Sequence, residues 1–379
     1  MSENKIGDVV VLKTETQQQA FYQLADGTSA FLCALALDDY ENPVLREKFF
    51  ALATEIVLAR IRATGSKVTL LQRDPAPAAY ADDYPSRAIT IVNVFGPGSG
   101  SDTVSRIIAD KLGPALGQTI IVEDRPGADG ALAALYVHHQ PADGYTLLMA
   151  TNSPLSADPF IHKNLNYDPI NDFVPITRVG SFTLMLVVNA KLPIHSVKEL
   201  VEYAKVHPGE LSFASGNTAG IVGGHTLAKW GEISMLHVPY KTTGPALEDI
   251  IAGRVSMMFA DFTTAMPHVE AGTVRPLAIS RIARSSLHPD LPTMDEAGVT
   301  GFNLDAWAGL VAPAGTPAPI VTKVNGALRN VIDRPDVQAK FKTIGFEGFS
   351  STPEELGAFI KVQLGVWGKM VKDAGINPD

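Results

Sequence analysis

The chain of 379 residues has a single cysteine, Cys33. An internal disulfide is excluded, and no Cys/His spacing suggests a zinc site. Free cysteines are usually buried, so Cys33 reads as a small apolar residue and not as a catalytic thiol. Charge is also scarce: only 19% of residues are charged, and acidic residues outnumber basic ones, 40 to 31. The resulting net charge of −9 argues against a nucleic-acid partner. No run of about 18 apolar residues occurs, so no transmembrane segment is read. Enzyme signatures such as a Gly-x-Ser-x-Gly elbow or His-Glu-x-x-His are missing as well. There is no solenoid-type repeat.

The chain does have ample apolar content, 46%, and a length sufficient for two or three domains with real cores. Residues 1–73 suggest a small α+β unit. Val9–Leu12 is a candidate strand. Ala20–Leu24 and Ala30–Leu35 flank Asp26-Gly27, a hairpin signal. Asn42-Pro43 opens a predicted helix with Leu45, Phe49, Leu52 and Ile56 on one stripe, and Lys67–Leu71 could close the unit as a strand. Residues 74–83, rich in Pro and Ala, read as a linker.

Beyond the linker, strands and helices alternate. Predicted strands are Ile89–Val94, Ile120–Val122, Tyr145–Ala150 and Phe182–Val188; helices fit Asp102–Leu116, Ala128–Gln140 and Ser196–Val206. A second unit follows, with strands near Leu211–Ala214, His237-Val238, Val255–Phe259 and Pro276–Ser280. Its helices fall around Gly223–Trp230, Gly244–Ala252 and Thr264–Ala271. Helices Pro319–Asn330 and Pro353–Ala374 complete the chain. Such alternation predicts parallel sheet with helices on its faces.

The first chemical signal is Phe95-Gly96-Pro97-Gly98-Ser99-Gly100-Ser101-Asp102, a glycine-rich turn between a strand and a helix. Bare backbone N–H groups and the positive end of the helix dipole can hold an anion there without a lysine. Asp102 reads equally as a plain N-cap. The second is Ser215-Gly216-Asn217-Thr218-Ala219-Gly220, followed by Ile221-Val222-Gly223-Gly224-His225. His225 is either a cleft imidazole or a structural histidine at a helix start. Thr151-Asn152-Ser153 follows a strand, where open α/β sheets bind ligands, or is a capping turn. Tyr240-Lys241 and Asp261 occupy corresponding strand ends.

Six segments in order resemble the Bug family, the solute-binding proteins of tripartite tricarboxylate transporters. They are Ile121-Val122-Glu123-Asp124-Arg125-Pro126-Gly127-Ala128, Pro141-Ala142-Asp143-Gly144-Tyr145-Thr146-Leu147-Leu148, Asp168-Pro169-Ile170-Asn171-Asp172-Phe173, His237-Val238-Pro239-Tyr240-Lys241, Leu291-Pro292-Thr293-Met294-Asp295-Glu296-Ala297-Gly298 and Ala312-Pro313-Ala314-Gly315-Thr316-Pro317. The resemblance runs from about Tyr84 to Asp379 and leaves the first residues unmatched. It implies an α/β, two-lobed periplasmic-binding-protein-like fold, a Venus flytrap, preceded by the small α+β unit. Lobe 1 would comprise 84–185 plus 306–379, and lobe 2 would comprise 186–305. It implies a small carboxylate or related metabolite as the ligand, with no cofactor and no metal.

The residues expected around that ligand are Phe95, Gly98, Ser99, Gly100, Ser101, Asp102, Asn152, Ser153, Ser215, Asn217, Thr218, His225, Tyr240, Asp261 and Trp307. Trp307 stands at the expected interlobe crossing, as a cleft wall or a core residue. Gly223-Gly224 departs from the polar pair usual in the family. The alternative is a cytoplasmic enzyme (lyase, isomerase or hydrolase) with an acid–base pair drawn from His225, Asp261 and Asp102. Met1–Asp8 carries no basic stretch ahead of an apolar one, so the chain as it stands is expected in the cytoplasm, where the family is usually periplasmic. The extension offers Phe49, Phe50 and Leu52 either as its own core or as a surface for a homo-oligomer.

Overall fold

The computed structural model describes the backbone of residues 9–13, 17–23, 29–36 and 70–72, and the chain over 84–285 and 288–378. Two compact units result, Met1–Tyr84 and Pro85–Asp379. In the first, β1 (Val9–Lys13), β2 (Gln17–Gln23), β3 (Ser29–Ala36) and β4 (Leu70–Gln72) form one sheet in the order β3-β2-β1-β4. Antiparallel pairing of β2 with β3 agrees with the turn signal at Asp26-Gly27. The predicted helix after Asn42, the Phe49, Phe50 and Leu52 surface, and the linker at 74–83 lie outside the described residues.

The second unit begins with β5 (Ile89–Asn93), α1 (Gly100–Leu116), β6 (Ile120–Asp124), α2 (Ala131–His138), β7 (Thr146–Thr151), α3 (Asp158–Ile161) and β8 (Phe173–Phe182). After Thr183 come β9 (Leu184–Asn189), α4 (Val197–Val206), β10 (Ser212–Ser215), α5 (Thr218–Gly231) and β11 (Leu236–Pro239). Next are α6 (Thr243–Ile251), β12 (Met257–Asp261), α7 (Phe262–Glu270) and β13 (Val274–Ile279). The chain then returns through β14 (Ala306–Pro313), α8 (Ala318–Ile332), α9 (Pro335–Thr343), β15 (Phe346–Gly348) and α10 (Pro353–Asp373).

These strands build two sheets, β15-β8-β14-β7-β5-β6 and β11-β10-β12-β9-β13, one per lobe. The local sequence explains the helices. In α1, Val104, Ile108 and Leu112 recur every fourth residue and are fully buried. Thr352 and Glu355 form a capping box ahead of α10, with Pro353 at its first position. No helix among the described residues is long and apolar enough to cross a membrane.

The expectation of a parallel sheet needs correction. β5 pairs parallel with β6 and β7, and β10 with β11 and β12. β14 is antiparallel to β7 and β8, and β9 to β12 and β13. The cause is the chain path between lobes. β8 runs out of the first sheet, Thr183 intervenes, and β9 opens the second sheet. The returning β14 therefore enters beside β8 from the opposite direction, pairing Ala306 with Phe182 and Trp307 with Ser181. The stretch Phe182–Val188, read as one strand, is split by this crossing.

Candidate functional site

Several chain turns that end a strand and begin a helix meet between the two sheets. Ser99 caps α1: its Oγ accepts the Asp102 N–H at 3.3 Å, and its carbonyl accepts from Thr103. The amides of Gly100 and Ser101, at the first two helical positions, have no acceptor within the helix. Across the cleft, Asn217 caps α5 through Oδ1, which takes the Gly220 N–H at 2.9 Å. Beside it starts α6, with Thr243 buried at its first position. Gly216 permits this closeness, because a Cβ there would stand 2.5 Å from the backbone of Thr242 and Thr243. Asp261 caps α7, accepting Thr264 N–H at 3.0 Å and Thr264 Oγ1–H at 2.7 Å on one oxygen.

The space between them is about 400 Å³ including its open mouth. On the first lobe its wall is Phe95, Ser99, Gly100, Ser101 and Thr151–Ser153. On the second it is Asn217, Ala219, Thr243 and Asp261, with Phe182, Leu184 and Ala306 at the interlobe crossings. The loops at 95–102 and from 215 onward thus share one cavity, as the sequence reading required. Among the described lining residues Asp261 is the one charged side chain, and none is Lys, Arg or His. Burial pushes the Asp261 carboxyl above its usual range, opposed by the two Thr264 donors. Three helix N-termini therefore offer partial positive charge in a pocket without a cation.

The lobes also touch directly. Ser153 Oγ lies 2.7 Å from Thr218 Oγ1, and Asn152 Nδ2 donates to the same hydroxyl at 3.5 Å. Thr218 N–H points at Ser153 Oγ at 3.4 Å. All three side chains are buried. Thr218 thus latches the closed cleft rather than lining its cavity.

Other predicted residues serve elsewhere. Asp102 is not the N-cap: it is buried, accepts the Gly98 N–H at 2.8 Å and pairs with Arg106 at 2.6 Å. It holds the turn in shape, since the true cap, Ser99, is three residues earlier. Gly98 supplies the positive φ of that turn, 77°. His225 is not at a helix start, because α5 begins at Thr218. Its ring packs edge-on against Phe213 and against His237, and burial lowers its pKa.

Gly223 and Gly224 are packing residues. A Cβ on them would fall 2.7 Å from Phe259 and 2.2 Å from Phe213, so the pair lets α5 lie close on its sheet. Ser215 Oγ is spent on His237 Nε2 at 2.7 Å. Tyr240 donates to Asp249 and is pushed up to about 12, by burial first and then by that carboxylate. Trp307 is fully buried in the first-lobe core with Phe359 edge-on; Ala306, its neighbour, takes the place on the wall.

The acid–base pair imagined among His225, Asp261 and Asp102 is not assembled, since only Asp261 lines the cavity. Among the described residues no three His, Cys, Asp or Glu side chains are grouped to hold a metal ion. Sequence reasoning missed Phe182 and Leu184, and with them Thr151, Ala219, Thr243 and Ala306 as lining residues. A break within Phe182–Val188 would have been the signal for the first two. Thr242-Thr243 ahead of Gly244 would have been the signal for Thr243.

Comparison with known proteins gives consistent matches. The model of the tripartite tricarboxylate transporter family receptor matches residues 104–376. A UPF0065 protein of Pseudomonas sp. strain P51 is 34% identical over 303 residues, 79% of this chain and 90% of that protein. Among solved structures, Rpa4515 of R. palustris, determined with adipate, superposes with a TM-score of 0.76 at 32% identity, covering 78% of this chain and all of that one. The periplasmic binding protein BugD gives 0.75 at 33%, with the same coverage. MatC of Rhodopseudomonas palustris, with bound malate, gives 0.72 at 31%, over 76% of this chain and all of that one.

Proposed function

The chain belongs to the tripartite tricarboxylate transporter receptor family, the Bug proteins, and from that premise we propose that it binds a small carboxylate in the cleft between its lobes. The observation that carries this reading is the convergence of the α1, α5 and α6 N-termini on a cavity whose described wall has no basic side chain. An anion there is held by main-chain amides and by Ser99, Ser101, Ser153, Asn217 and Thr243. Helix termini of this kind each contribute about 0.3–1 kcal/mol, and up to about 2 when partly buried. Relatives solved with adipate and malate support the chemical class.

Binding proceeds by hinge closure. Polar groups of both lobes complete the site only when Thr218 meets Ser153. No step of bond chemistry is assigned, because the reading needs none.

Calorimetry of the full chain with a panel of C2–C8 mono- and dicarboxylates tests the proposal. At least one should bind with a Kd in the micromolar range or below, and the corresponding primary amides should not. A panel without any binder, or amides binding as well as acids, would sink it. In the chain carrying Ser101→Pro, which removes one of the two α1 amides together with the Ser101 hydroxyl, affinity for the best acid should drop about tenfold or more, and further than in Ser101→Ala, which removes the hydroxyl alone.

A further inference from the structure

We infer that the cleft selects carboxylates carrying a hydroxyl or ammonium donor near the carboxylate, and that Asp261 reads that donor. The inference rests on the carboxylate reading above and deepens it.

Asp261 is only 7% exposed, yet it lines the cavity. A buried carboxylate has acceptor capacity for about four hydrogen bonds. The cross-residue donors to it are the N–H and Oγ1–H of Thr264, both from its own helix turn and both on Oδ1. Neither the facing lobe nor a basic side chain on the cavity wall answers its charge. In a structural cap the charge would be dispensable, since Ser, Thr or Asn caps as well. Here an acid is kept in a place that desolvates it.

Its position sets which ligand atom it meets. A Cβ built on Gly100 would lie 2.8 Å from Asp261 Oδ1 and 3.0 Å from Phe182 Cε1. Asp261 therefore stands against the same α1 N-terminus whose amides are free for the ligand carboxylate. Atoms one or two bonds away from that carboxylate come within reach of Asp261. A hydroxyl or ammonium at that point donates to it and is favoured. A bare methylene leaves the buried acid unanswered, and a second carboxylate placed there meets like charge.

Asp261→Asn isolates the effect. Asn caps helices as well as Asp, so the Thr264 bonds and the fold are retained, and an unchanged ligand-free melting temperature verifies this. Two matched pairs serve as probes: malate against succinate, and 3-hydroxybutyrate against butyrate. In each, total charge is constant and only the hydroxyl differs.

For the unaltered chain, the hydroxy member of at least one pair should bind tenfold or more tightly than its deoxy partner. In Asp261→Asn that ratio should shrink to threefold or less, and succinate should gain affinity. Equal binding of both members by the unaltered chain overturns the inference and leaves the carboxylate reading intact. A hydroxyl preference that survives in Asp261→Asn overturns the role of Asp261. If all four probes fail to bind while another acid of the wider panel binds, the inference falls and the carboxylate reading stands; the carboxylate reading falls only if the whole panel fails.

Discussion

Buried acids in this molecule do different jobs, and the difference lies in what faces their oxygens. Asp102 is paired with Arg106 and accepts a turn amide, while Asp261 accepts two hydrogen bonds from one threonine and has no cationic partner on the cavity wall. Asp158 has no such donor. It is fully buried in the short helix after Ser153–Ala157, and both carboxylate oxygens lack a hydrogen-bond partner. Burial, reinforced by Asp129 and opposed by His162, pushes its pKa well above the ordinary carboxylate value. The native state therefore keeps a proton that the unfolded chain has already lost, between the ordinary carboxylate pKa and the raised one. Its stabilisation is fully present below the ordinary pKa and is lost as pH rises through the raised one. Asp158→Asn, which cannot ionise, should remove this term. Urea melts from pH 4 to 8 should show the unaltered chain losing stability relative to the variant as pH rises, by about 1.4 kcal/mol for each unit of pKa shift. A difference that stays flat over that range would mean Asp158 titrates normally.

At the scale of elements, helix α5 shows what a sequence yields and what it conceals. Strand and helix periodicity located β5, α1, β7, α8 and α10 within a few residues, because each has an uninterrupted apolar stripe. The start of α5 was misplaced. Thr218–Val222 contains glycine and no strong repeat, and its helical state comes from the Asn217 cap and from packing against Phe213 and Phe259. β8 was missed because Pro175, Arg178, Gly180 and Ser181 interrupt its apolar pattern, and the Thr183 break was hidden inside the nearly continuous apolar run Phe182–Val188. Cleft residues near a capped turn were legible: Ser99, Gly100, Asn152 and Asn217 all reach the wall. Those read from chemistry alone, His225, Tyr240 and Trp307, do not, since only the third dimension decides which way a side chain turns. A pair of glycines tests the packing account. Gly224→Ala puts a methyl 2.2 Å from the Phe213 ring, so it should cost about 1–3 kcal/mol despite better helix propensity. Gly326→Ala, exposed within α8 and with open space around it, should stabilise by about 0.5–1 kcal/mol. Thermal melts of both variants should move in opposite directions; a shift of the same sign would contradict close helix–sheet approach as the reason for Gly224.

For the molecule as a whole, the question is what holds the lobes shut. Two chain crossings join them, at Thr183 and at Asp305, and a charge cluster spans that hinge. Arg281 pairs with Glu347 at 2.7 Å, and both Arg281 and Arg178 approach Asp305 at 3.7 Å. Burial raises the Asp305 pKa against the pull of Arg281 and Arg178, so the cluster sits partly out of water. These pairs stay on the hinge side. Across the cleft itself, Ser153 and Thr218 join hydroxyls. A net hydrogen bond is worth about 0.5–1.5 kcal/mol, which changes a closed-to-open ratio roughly two- to twelvefold. Thr218→Val keeps the shape of the side chain and deletes the bond. With Cys33 replaced and spin labels at exposed Leu132 and Leu236, one on each lobe, the ligand-free variant should populate longer interlabel distances than the parent. Saturating ligand should restore the parent's short distance, at a cost of about two- to twelvefold in affinity, because the bound cleft supplies its own bridges between the lobes. Identical distance distributions for variant and parent without ligand would place the closing force elsewhere, in the hinge cluster and not in the latch.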